Sequence, residues 1–155
     1  MGVAKSPTGP RLFAPTEDFA ALEASLTAIG VSGANDELRR LPALRPGTPS
    51  LALVGLGTLP EGAEEPTVDT LRNAAGSAIR QLAGTGSVAF ALPGAASEQI
   101  GAVLEGAAIA SYSFTGYRFS TLENAKQPVA AITVLVESLP DDADALTARA
   151  LAVAV

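Results

Sequence analysis

The sequence predicts an α/β fold: a three-layer sandwich with a mixed, mostly parallel sheet and helices on both faces. Three observations point there. Residues 50–57 (SLALVGLG), 87–92 (SVAFAL) and 129–139 (VAAITVLVESL) are almost continuously apolar, the pattern of strands covered on both faces. Segments with helical apolar spacing separate these runs. The resulting alternation suits right-handed crossovers between parallel strands.

Each element has its own warrant, in chain order. GVA at 2–4 reads as the end of a strand whose beginning is missing. Residues 16–30 (TEDFAALEASLTAIG) read as a helix that opens at Thr16 and stops at Gly30, with Phe19, Leu22, Leu26 and Ile29 on one face. Residues 36–44 (DELRRLPAL) read as a short edge strand, because Pro42 has no N–H for a central ladder. After the strand at 50–57, residues 67–83 (TVDTLRNAAGSAIRQLA) place Val68, Leu71, Ala75, Ala78, Ile79 and Leu82 on one helical face. Thr67 suits the N-cap, Asp69 the positive first turn and Gly84 the C-terminal stop. Residues 97–112 (SEQIGAVLEGAAIASY) repeat this design, with Ser97 as cap. Residues 142–155 (DADALTARALAVAV) form a last helix with no C-cap signal, which is expected of a fragment whose chain continues. The loops at 42–49 and 58–66 are surface-like, and no internal repeat is visible.

Composition limits the function. A chain of 155 residues fits one domain. Apolar residues make up 48%, enough for a core, while charged residues are only 17% against about 25% in ordinary domains. Either an absent neighbour covers part of this surface or the composition is simply rich in Ala. The net charge of −6 and ten scattered basic residues argue against nucleic acid as a partner, since phosphates require clustered Lys and Arg. No run is long enough to span a membrane and the N-terminus has no apolar signal core, so a cytoplasmic setting is expected. There is no Cys, hence no disulfide or thiolate.

There is also no His, which removes the imidazole-based nucleophile systems and most zinc ligand sets. A Ser–Lys pair would need a desolvated lysine, and Lys5 and Lys126, the only two, sit in loop-like contexts. Asp141, Asp142 and Asp144 are a candidate Ca²⁺ or Mg²⁺ cluster, but the same residues suit the opening of a helix. Glu105, beside Gly106, is expected to be part-buried and paired, for instance with Arg118. It serves structure rather than general acid catalysis, because no second polar group is seen to converge on it.

Two further stretches are candidate binding features. GLGT, with Gly55, Gly57 and Thr58, follows an apolar run and is a candidate ligand loop for phosphate-like groups. It lacks the Lys-Ser/Thr of a P-loop and the full dinucleotide fingerprint. EGAAIASYSFTGYRF, residues 105–119, holds Tyr112, Phe114, Tyr117 and Phe119, four of only seven aromatics. Small residues before them let a helix lie close to the sheet. The aromatics then form either a core-edge cluster or an interface to another domain or subunit.

That stretch resembles the helix-and-aromatic segment in the N-terminal domain of leucyl aminopeptidases, the cytosol aminopeptidase (M17) family. LALVGLG is similar to the strand before the family's Gly-rich turn, TVDTLRNAAGSAIRQL to the helix that follows, and ALTARALAVAV to the start of the family's linker helix. The resemblance covers residues 50–155, with GVAKSPTGPRL similar to the first strand and loop. It implies a macro-domain-like fold over 1–140 and, over 141–155, the start of a linker to an absent C-terminal catalytic domain. It also implies a hexameric parent exopeptidase that releases N-terminal residues from peptides with two divalent metals, Mn or Zn. The family's metal-binding signature, N-T-D-A-E-G-R, does not occur here. No catalytic residue or metal ligand therefore carries over, and the fragment is expected to be inactive by itself. The alternative is a stand-alone macro-type module holding a nucleotide such as ADP-ribose over Gly55 and Gly57.

Overall fold

The computed structural model describes residues 1–13, 19–60, 63–112 and 126–154. The chain opens with a hairpin of β1 (Gly2–Ser6) and β2 (Gly9–Phe13), paired antiparallel. A strand at the N-terminus was expected, but not its partner. Gly9 and Pro10 mark β2 as loop by residue type, yet it lies at the sheet's edge, where a missing N–H is tolerated.

Next comes α1 (Ala20–Ser25), a six-residue helix, much shorter than the expected span of 16–30. The expected face nevertheless packs as a unit. Leu26 is fully buried, with Phe19, Leu22 and Ile29 against it, and Gly30 takes φ +74° where the run stops. The expected edge strand is β3 (Leu38–Leu41), antiparallel to β4 (Leu51–Thr58). On its other side β4 runs parallel to β1, giving the order β2-β1-β4-β3.

Helix α2 (Val68–Gln81) starts as its sequence requires: the Thr67 hydroxyl oxygen accepts the Thr70 N–H at 3.2 Å. β5 (Ser87–Phe90) and β6 (Ala131–Val134) form a separate two-stranded parallel sheet. A single, mostly parallel sheet is therefore a correction: among the described residues two pairings are parallel and two antiparallel. The apolar run at 129–139 misled because continuous apolarity does not reveal what covers a segment. Only four of its residues form strand, and Leu139 is 79% exposed.

Helix α3 (Ser97–Ser111) lies against α2, and α4 (Ala143–Val153) against α3. Ser97 is not the cap of α3. The Ala96 N–H is satisfied by Gln99 Oε1, while the Ser97 hydroxyl donates to Asp142 Oδ1 at 2.7 Å, tying the starts of α3 and α4 together.

Strand alternation divides the core. Val3, Leu12 and Leu53 face Leu26 and Val31 on the α1 side. Ala4, Val54 and Leu56 face Leu71, Ala75, Ile79, Phe90, Val103 and Ala107 on the other. Each large buried side chain contributes about 1.5–3 kcal/mol. Both faces of the four-stranded sheet are thus covered.

Candidate functional site

Two features of α2 and α3 build the polar site of this domain. The first is their close approach. A Cβ placed on Gly106 would lie 2.1 Å from the Arg72 carbonyl oxygen, and one on Gly76 would lie 3.2 Å from the Gly106 carbonyl oxygen. Glycine at 106 is therefore required by the neighbouring backbone. The second is the polar face of α2. Asn73, Ser77 and Arg80 follow at i, i+4 and i+7, and share one side of the helix.

Together with Asn35, Asp36 and Gly55 these residues line a cleft of about 470 Å³. Its cations are already faced by carboxylates. Arg72 pairs with Asp69 and reaches Glu105 Oε2 at 3.4 Å. Arg80 lies 3.8 Å from Asp36. The cleft can hydrogen-bond a polar molecule, but it assembles no nucleophile with a base. Asn73, Ser77 and Arg80 were not among the expected site residues; their spacing on one helix face was the available signal.

Glu105 is buried at 8% exposure, as expected. Its cations are Arg72 on α2 and Arg149 on α4, the latter 2.5 Å from Oε1. Arg118 lies outside the described residues. Each carboxylate oxygen of Glu105 faces one guanidinium, so its polar groups are engaged in joining helices.

Gly55, Gly57 and Thr58 do not form a loop after a strand; they are the last residues of β4. The ladder to β1 slips between Val3 and Ala4, opposite this stretch, and Gly57 takes φ +73°. The segment 33–35 lies directly on them. A Cβ on Gly55 would fall 1.7 Å from the Ala34 carbonyl oxygen, and one on Gly57 2.2 Å from Asn35 Oδ1. Gly57 N–H donates to the Gly33 carbonyl at 2.8 Å. The chain itself fills the space over these glycines, leaving Gly55 at the cleft's wall.

That covering segment is locked by Glu37. Its carboxylate accepts from the Ser32 hydroxyl and from the N–H groups of Ser32, Gly33 and Ala34 at 2.8–3.1 Å. Partial burial pushes the carboxyl pKa up, but these hydrogen bonds outweigh it and hold the value below the ordinary one.

Of the aromatic cluster, Tyr112 is 59% exposed at the end of α3, and Phe114, Tyr117 and Phe119 lie outside the described residues. Asp142 and Asp144 stand at the start of α4, Asp142 occupied by Ser97. Lys5 and Lys126 are exposed. Among the described residues no group of three or more His, Cys, Asp or Glu is placed to hold a metal ion. No described helix is long and apolar enough to cross a membrane.

Fold and cleft together define a mixed α/β domain with a polar cleft beside α2 and α3. The profile of the cytosol aminopeptidase family, N-terminal domain, matches residues 11–121, and the chain belongs to that family as its N-terminal domain. A probable cytosol aminopeptidase of Leifsonia xyli subsp. xyli is 50% identical over 133 residues, which are 86% of this chain and 25% of the relative. One from Micrococcus luteus is 39% identical over 99% of this chain and 31% of its own length. The chain thus spans between a quarter and a third of these relatives. The fold is shared with the bottromycin maturation enzyme BotP (TM-score 0.60, 23% identity, 84% of this chain and 27% of that one). It is also shared with a tomato leucine aminopeptidase mutant (TM-score 0.55, 19% identity, 94% of this chain and 30% of that one).

Proposed function

We propose that this polypeptide is the non-catalytic N-terminal domain of a metal-dependent leucyl aminopeptidase, and that it packs against a catalytic domain of the same chain. In this reading it supports oligomer assembly or access to the active site. The observation that carries it is the family match over a chain in which three of the described acids are engaged in holding the structure together. Glu37 locks a turn, Glu105 ties three helices, and Asp142 joins α3 to α4. The apolar side chains of Leu139, Leu151 and Val153 around α4 stand out in solvent and supply a surface for such a neighbour. The two Mn or Zn ions and the peptide substrate belong, on this view, to the catalytic domain. The test is hydrolysis of leucyl-p-nitroanilide by the purified 155-residue chain with Mn²⁺ or Zn²⁺. No turnover is expected; metal-dependent turnover overturns the reading.

A second reading is favoured by the cleft beside Gly55, with Arg80, Asn73 and Thr70 on its wall: a small polar ligand such as ADP-ribose bound there. A ligand at 100 times its Kd stabilises by about 2.7 kcal/mol, so a thermal-shift titration decides. An unchanged Tm at millimolar ADP-ribose removes this option.

A further inference from the structure

The cleft beside α2 and α3 carries one charge pair that its surroundings leave loose. Arg80 and Asp36 approach to 3.8 Å, beyond a hydrogen bond, and their side chains are 61% and 78% exposed. Such a contact contributes little by itself and yields readily to another partner. The cleft's other cation, Arg72, is already engaged by Asp69 and Glu105.

The groups around the loose pair are held in place. Gln81 Nε2 donates to the Asp36 carbonyl at 2.9 Å and to Ser77 Oγ at 3.0 Å, which ties the turn at Asp36 to α2. Asp36 takes φ +60°, the only non-glycine with a positive φ among the described residues. Backbone of this kind persists where its surroundings fix it, and it recurs at ligand sites. Ser77 is only 2% exposed, and among the described residues its own hydroxyl hydrogen meets no acceptor. The floor is Gly76. A Cβ there would lie 3.4 Å from Arg80 Nη1 and 3.7 Å from Ala110 Cβ. The guanidinium and an apolar patch on α3 therefore meet over a residue that has no side chain. Ile109, 54% exposed, lines the cleft next to Ala110.

These features select a ligand. An anion and a cation side by side match a molecule whose own opposite charges are side by side. In a free α-amino acid both charged groups sit on one carbon, whereas a dipeptide separates them by a peptide unit. A nucleotide brings phosphate anions, which Asp36 would repel, and the described lining has no aromatic ring to stack its base. The patch on α3 suits an aliphatic side chain. We propose that the cleft binds a free aliphatic α-amino acid as its zwitterion. The carboxylate would take Arg80 and the Ser77 hydroxyl, the ammonium Asp36, and the side chain would lie on Ala110 and Ile109. This assignment rests on the cleft's being a ligand site, as does ADP-ribose binding, and differs in the ligand's chemistry.

The test follows amide chemical shifts of the 155-residue chain during titration with L-leucine. Isocaproate (carboxylate only), leucinamide (ammonium only) and ADP-ribose are separate arms. L-Leucine is expected to bind with a Kd of about 1 mM, moving Asp36, Gly76 and Ser77 and leaving β1 unmoved. Each single-charge analogue is expected to bind about tenfold more weakly or worse. Arg80→Gln and Asp36→Asn each remove one charge, and Asn tolerates the positive φ; each is expected to weaken leucine binding about tenfold. Unchanged β1 shifts check that both variants are folded. Leucine bound no better than its analogues, or equally well by the two variants, overturns the proposal. So does the absence of leucine binding at about ten times that Kd; ADP-ribose shifts in that case would leave the nucleotide as the occupant. Leucine binding without ADP-ribose binding supports the zwitterion and removes the nucleotide.

Discussion

The two ends of β4 meet different surroundings. At its C-terminal end Gly55 and Gly57 are pressed against residues 33–35, and the backbone groups there are satisfied within the chain. At its N-terminal end Leu51 and Ala52 border an open groove. The glycines suggested a ligand loop, and the structure shows a close approach of the chain to itself. The plain residues Leu51 and Ala52 suggested a strand covered on both faces, and the structure shows a gap beside them. A glycine in a strand records that something lies near; whether it is ligand or backbone depends on the partner segment.

Substitutions at the sealed end test this contrast most severely. Gly55→Ala drives a methyl group into the Ala34 carbonyl, which is backbone and cannot swing aside. A loss of about 3 kcal/mol or more is expected in urea denaturation, and a loss under 1 kcal/mol would show the seal to be loose. At the open end the expected effect comes from pH. The Met1 amino group, lowered by burial to about 6, takes up a proton more readily unfolded than folded between pH 6 and 8. Stability is therefore expected to rise across that window, by about 2–3 kcal/mol. No histidine titrates alongside it. N-terminal acetylation should flatten the curve, and a curve already flat before acetylation would mean the amine is solvated.

Smaller effects separate the two glycines. Gly57→Ala meets the Asn35 side chain, which can rotate, and adds the strain of φ +73°. A cost of about 1–2 kcal/mol is expected, below that of Gly55→Ala; the reverse order would show the 33–35 segment to be pliable. Smallest is the response of Glu37. Its carboxyl pKa is below the ordinary value, so its contribution is complete above the unfolded pKa of about 4.3 and is lost as pH falls through the folded value. Glu37→Gln should remove that acid-side loss and speed amide exchange at Gly33 and Ala34.

The parts legible in the sequence are those set by local rules. The Thr67 cap, the buried face of α2, the apolar span of β4 and the edge position of β3 follow from spacing, capping and proline chemistry. The Leu26 face was legible although its helix is short, because burial depends on the side chains and not on helix length. The hairpin partner β2 and the division into two sheets were not legible, since both depend on which distant segment supplies the hydrogen bonds. At the cleft, Glu105 was recognisable as a buried, paired acid. Its partners Arg72 and Arg149 were not, being 33 and 44 positions away.

One consequence of Glu105 concerns mechanics. A single carboxylate joins the second, third and fourth helices through opposite oxygens. Peeling the last helix away would expose that anion's lost half-shell as well as apolar surface. The fourth helix is therefore held to the third by a polar anchor as well as by packing.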